Sequence, residues 1–116
     1  MDRPSHIAEN LIALPNFEQD WGLAQFNEPL TDNPTDTELN DLIVAQYVDG
    51  KGLACPMPLL KLKMALKQTQ MGHAVYVSAT DPNSRHDIGA FCRHMGYGLF
   101  AGQTDTIFHL LITKNC

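Results

Sequence analysis

The run Leu42-Ile43-Val44-Ala45-Gln46-Tyr47-Val48 is dense in β-branched and aromatic residues and ends in the turn formers Asp49-Gly50-Lys51-Gly52. It predicts a strand followed by a loop. Beyond the loop the period changes. Leu59, Leu62, Leu66 and Thr69 recur at helical spacing, with Lys61 and Lys67 on the other side, so an amphipathic helix is expected from Pro56 to about Gln70, stopped by Gly72. Ala74 to Ala79 reads as a second strand. Ser84 to Met95 reads as a second helix with Ile88, Phe91, Cys92 and Met95 on one face. Tyr97–Ala101 and Thr106–Thr113 read as a closing hairpin around Gly102-Gln103-Thr104-Asp105. The order is β-α-β-α-β-β. Crossover rules place both helices on one face of a mixed four-stranded sheet, an α/β two-layer sandwich.

Upstream of Leu42 no period persists. Pro4, Pro15, Pro29 and Pro34 interrupt the chain, leaving room for helical turns over residues 7–14 and 35–39. Charge divides at the same place: one cation faces nine acids before Leu42, and seven cations face four acids after it. Residues 1–41 are therefore read as an acidic arm, loosely ordered or packed on the body, and residues 42–116 as the folded domain. The body is expected to fold without the arm.

The chain of 116 residues suffices for one domain. A net charge of −5 and a single tryptophan argue against a nucleic-acid binder. No stretch approaches the roughly 18 apolar residues of a membrane span, and Met1-Asp2-Arg3-Pro4 does not open a signal peptide. A cytoplasmic protein, monomeric and off the membrane, is expected. Cys55, Cys92 and Cys116 make no disulfide framework or CxxC pair, and the histidines lack ligand spacing, so neither metal nor cofactor is assigned.

Cys55 is where these features converge. In Gly52-Leu53-Ala54-Cys55-Pro56-Met57-Pro58 it falls at or beside the start of the first helix, where free N–H groups and the positive end of the helix dipole favour a thiolate. Pro56 is expected at the first helical position and Pro58 within the first turn, stiffening the entrance at no cost in hydrogen bonds. Gly52 gives the loop its turn, and Lys51 is the cation placed to assist the thiolate. Met57 is expected to be exposed as an adaptable partner contact, with Lys61 beside it on the same helix. His86 and Arg85 could flank the thiol from the second helix. Cys92, on an apolar face, reads as a buried structural thiol, with a resolving partner for Cys55 as the alternative. Cys116 reads as an incidental terminal thiol.

The signature Asp49-x-x-Gly52-x-x-Cys55-Pro56-x-Pro58 after a strand resembles that of the TusA (SirA-like) sulfur carrier family. The likeness continues through Asp81-Pro82, Asp87-Ile88, Phe91-Cys92 and the hairpin, over roughly Val44 to Lys114. It implies the same β-α-β-α-β-β sandwich. It also implies that Cys55 accepts a sulfane sulfur as a persulfide and passes it on, as a sulfurtransferase working in a protein relay. The implied donors are cysteine desulfurases or rhodanese-type proteins, and the acceptors serve tRNA thiolation, cofactor synthesis or sulfur oxidation. Two positions depart from the family pattern, Ala54 and His86, each standing where a basic residue is common. Both bear on the choice of partner.

The residues alone support a reactive thiol; sulfur as its cargo comes from the resemblance. Two other classes stay open. A non-catalytic regulatory or interaction module of the same fold would keep its activity in Cys55→Ser. A thiol redox sensor would oxidise Cys55 reversibly, with Cys92 as a possible second thiol.

Overall fold

The structure is a computed structural model that describes residues 6–7, 11, 17–23, 28–29 and 43–114. From Ile43 on, the elements are β3 (Ile43–Gly50), α2 (Met57–Lys67), β4 (His73–Ala79), α3 (Pro82–Met95), β5 (Gly98–Thr104) and β6 (Ile107–Thr113). Their four strands lie in the order β3-β4-β6-β5. The β3–β4 pair is parallel, and β4–β6 and β6–β5 are antiparallel. This is the α/β sandwich that the pattern predicts.

Strand alternation sorts the core. Val48, Val75, Val77, Leu99, Ala101, Leu110 and Ile112 face the helices, where they meet Leu62 and Leu66 of α2 and Ile88 and Cys92 of α3. The expected stripe on α2 is buried at Leu62, Leu66 and Thr69, while Lys61 and Lys67 are exposed. On α3, Met95 is 40% exposed and stands outside the stripe it was expected to complete.

Helix ends differ from expectation for local reasons. α2 stops at Lys67 with Gln68 as its C-cap: Gln68 N donates to Ala65 O at 3.0 Å, and Lys114 Nζ donates to Leu66 O at 2.7 Å and, just past the helix, to Thr69 O at 2.9 Å. α3 begins at Pro82, two residues early, because the Asp81 carboxylate caps it by accepting from Asn83 N at 2.9 Å. The hairpin turn is also tighter than expected. β5 stays paired through Thr104↔Ile107, leaving Asp105 and Thr106 as the turn, with Asp105 at φ 58°.

The arm supplies what the sequence pattern hides. β1 (His6–Ile7) pairs in parallel with β3, and β2 (Glu28–Pro29) pairs antiparallel with β5, so each edge of the four-stranded body is covered and the full order is β1-β3-β4-β6-β5-β2. α1 (Phe17–Leu23) lies on the sheet face opposite α2 and α3. There Leu11, Phe17 and Trp21 bury themselves against Val44, Ala74, Tyr76 and Leu111. Phe17 stacks on Trp21 and meets Tyr47 and Tyr76 edge-on. Without these side chains the apolar face of β4 and β6 would lie open to water, so the body is not expected to keep its full stability alone. Of the helical turn expected over 7–14, Ile7 is in a strand and Leu11 is helical; the turn expected at 35–39 lies outside the described residues.

Asp20, on α1, is 2% exposed. A buried carboxylate is tolerated only when its oxygens are saturated. Here the Tyr47 hydroxyl, the Ser78 hydroxyl and the Lys51 ammonium all donate to it. Lys51 belongs to the loop that follows β3, so one arm residue is tied to the loop that leads to Cys55.

Candidate functional site

The loop between β3 and α2 is built from backbone constraints. Asp49 Oδ1 accepts from Lys51 N at 3.1 Å, an Asx turn that starts the reversal. Gly52 sits at φ +78°, a left-handed conformation that a side chain strains, and its N–H donates to the Thr80 hydroxyl at 3.0 Å. Gly50 is needed for a different reason. A Cβ there would lie 3.0 Å from Ser78 O and 3.1 Å from the Pro58 ring. Its hydrogen lets the first turn of α2 close onto β3 and β4.

Pro56 is the N-cap of α2 rather than its first helical residue, and the Cys55–Pro56 peptide is cis. Met57 is the first helical residue and Pro58, buried, the second. Neither proline removes an N–H that the helix needs. Cys55 therefore stands one residue before the N-cap, partly exposed.

Two carboxylates meet it, the N-cap Asp81 of α3 and Asp87 from the second turn of that helix. Asp81 Oδ2 accepts from Cys55 N at 3.0 Å while its Oδ1 caps α3, so one side chain joins the cysteine loop to the second helix. The Cys55 thiol donates to Asp87 Oδ2. The expected lowering of the thiol pKa is corrected by this geometry. The hydrogen bond to Asp87 favours the protonated form, partial desolvation adds to it, and the negative charges of Asp87 and Asp81 act in the same direction, so the Cys55 thiol is pushed up.

Lys51 does not assist the thiol. Its ammonium donates to Asp20 and, at 2.9 Å, to Asp49 Oδ1. Those bonds raise its pKa against the opposing pull of burial. Arg85 lies over the Phe108 ring, 5.9 Å from the centroid, and His86 is exposed. Neither has a hydrogen bond to Cys55 among the described residues. Met57 is 45% exposed beside the cysteine loop, and Lys61 is exposed one turn further along α2.

Cys92 is fully buried, and desolvation pushes its thiol up to about 12 despite the nearby Arg93. That is the setting of a packing residue, and it disfavours the role of resolving thiol. Cys116 lies outside the described residues. No described helix is long and apolar enough to cross a membrane.

Sequence reasoning passed over Asp81 and Asp87 as site residues, although both belong to the stretch that carries the family likeness. Asp-Pro before a helical pattern is a readable N-cap signal. The second bond of Asp81 and the position of Asp87 depend on how α3 packs beside the loop. Asp20 is farther still from local signals, lying 31 residues before Lys51.

The family model described as "Sulfurtransferase TusA" matches residues 46–114. Two Neisseria meningitidis proteins, from serogroups A and B, each provisionally named a sulfur carrier protein, are 41% identical over 69 residues, which is 59% of this chain and 93% of theirs. A crystal structure of a SirA-like protein from Desulfitobacterium hafniense superposes with a TM-score of 0.56 at 25% identity, covering 61% of this chain and 99% of that one. The shared region takes in the Cys55 loop, both helices and the closing hairpin, and leaves the arm outside. On that match the chain belongs to the TusA family of sulfur carriers.

Proposed function

We propose that this protein is a sulfurtransferase that carries sulfane sulfur as a persulfide on Cys55, taking it from one protein and giving it to another. The observation that supports this reading is the setting of Cys55: a partly exposed thiol at a helix entrance, with its backbone fixed by Asp81 and its Sγ–H directed to Asp87. In loading, Cys55 Sγ attacks the terminal sulfur of a donor persulfide and the donor thiol leaves. In delivery, an acceptor thiol attacks the terminal sulfur on Cys55. Gly52, Pro56 and Pro58 shape the entrance, and Met57 and Lys61 are the proposed partner contacts. The donor is of the cysteine desulfurase or rhodanese type, and the acceptor belongs to a thiolation or sulfur-metabolism relay. Residues 42–116 form the sulfur-carrying domain, monomeric and cytoplasmic, and residues 1–41 are an accessory arm to it.

The test is mass spectrometry after incubation with a cysteine desulfurase and cysteine, or with a rhodanese and thiosulfate. One added sulfur atom on the Cys55 peptide, lost in Cys55→Ser, is expected. No added sulfur with either donor would sink the proposal.

A further inference from the structure

Cys55 stands one residue before the N-cap of α2, close to a helix end that ordinarily favours a thiolate, yet both groups hydrogen-bonded to it are carboxylates of α3 and its N-cap. Among the described residues no cation of the loop, α2 or α3 hydrogen-bonds the Cys55 sulfur. On the cysteine's own loop, Lys51 binds Asp20 and Asp49. On α3, Arg85 covers Phe108, and His86 is exposed. On α2, Lys61 is exposed, and Lys63 lies over the Phe91 ring, 5.3 Å from its centroid. Asp87 is the group in contact with the sulfur itself. Among the described residues its carboxylate makes no cap or loop-amide bond like those of Asp81, which both caps α3 and holds the Cys55 amide.

We propose that Asp87 controls the protonation of Cys55: by accepting the Sγ–H and placing a negative charge against the sulfur, it keeps the free protein in its thiol form. A carrier held this way resists stray electrophiles and oxidants, because the thiolate is the form that reacts. Loading, which rests on the function proposed above, then starts with loss of the Cys55 proton. The thiolate attacks the terminal sulfur of a donor R–S–SH, a Cys55 S–S bond forms, and the donor S–S bond breaks. The leaving R–S⁻ takes up the proton that Cys55 gave up. The balance is Cys55–SH plus R–S–SH giving Cys55–S–SH plus R–SH, with no net oxidation. Asp87 sets how much thiolate is present at the first step.

The experiment compares wild type, Asp87→Asn and Asp87→Glu by iodoacetamide labelling from pH 6 to 10, read on the Cys55 peptide so that other cysteines do not contribute. Asp87→Asn keeps an acceptor oxygen and removes the charge. Its Cys55 should label at pH 7 about threefold faster or more. The gain in thiolate outweighs the lower nucleophilicity of a more acidic thiol, which offsets only about half of that gain on a logarithmic scale. Asp87→Glu should restore slow labelling. An equal or slower rate in Asp87→Asn would overturn the proposal, and is what a residue serving only to prop the loop would give. Should Asp87→Asn fail to fold, the wild type still decides. Its native Cys55 must titrate at higher pH than the same cysteine in urea, and the reverse order overturns the proposal. Glutathione persulfide serves as the sulfur probe in parallel. If neither it nor the desulfurase and rhodanese donors load either protein while the labelling results hold, sulfur as cargo fails and the role of Asp87 stands.

Discussion

Phe17→Ala tests whether the arm is part of the folded core. Phe17 is 2% exposed, stacked on Trp21 with ring centroids 5.8 Å apart and edge-on to Tyr47 at 5.3 Å and Tyr76 at 6.3 Å. Truncating so enclosed a phenylalanine costs about 3–5 kcal/mol, the sum of lost transfer energy and the cavity left behind. The collapse that usually softens such a change is restricted here, since Tyr76 is held by its hydroxyl contact to His109 Nδ1 at 2.7 Å. Unfolding entropy of roughly 2.1 cal/mol/K per residue, over 116 residues, gives about 0.24 kcal/mol/K. The midpoint should therefore fall by about 12 °C or more. Thermal melts followed by circular dichroism measure it, with Leu62→Ala on the opposite sheet face as the reference for a core truncation. A shift of less than about 3 °C for Phe17→Ala, beside a fall of roughly 10 °C for Leu62→Ala, would refute the reasoning and return the arm to the status of an appendage.

Gly50→Ala should lower stability by about 1–3 kcal/mol and slow Cys55 labelling or loading, because the new methyl meets Ser78 O and the Pro58 ring at 3.0–3.2 Å and must push the first turn of α2 outward. Urea unfolding together with the Cys55 rate measures both, and wild-type values for each would show that the close approach is not needed. His109 gives a pH dependence. Burial lowers its pKa below the usual 6.5, partly offset by Asp20 and reinforced by Lys51, so the unfolded chain binds the proton more readily than the native one. Stability from this residue is therefore present above about pH 6.5 and is lost as the pH falls toward the native value. Melts at pH 7.5 and pH 5.5 should show the decline, and His109→Gln should flatten it; an unchanged slope would assign the acid sensitivity to other groups.

Much of the body was legible because its signals are local. The strand at Ile43–Gly50 announces itself by β-branched density and the α2 stripe by Leu62 and Leu66 at helical spacing. The Cys55 entrance is marked by two prolines and a glycine whose backbone demands are intrinsic. The arm was not legible. Phe17, Asp20 and Trp21 occupy a helix of seven residues, too short to display a period, and what holds it is a sheet face formed more than twenty residues downstream.

The same division separates the thiol from its chemistry. The sequence alone placed Cys55 at a helix start and, through the family likeness, proposed sulfur as its cargo. Only the tertiary structure decided the sign of the field around it. A helix end is an attribute of the local chain and favours the thiolate. Asp87 reaches the sulfur from 32 residues away, and Lys51, adjacent in sequence, is drawn off by Asp20 from the other side. At these distances a charge in contact outweighs a partial charge spread over a helix turn, and which charge is in contact is set by packing, which no local pattern encodes.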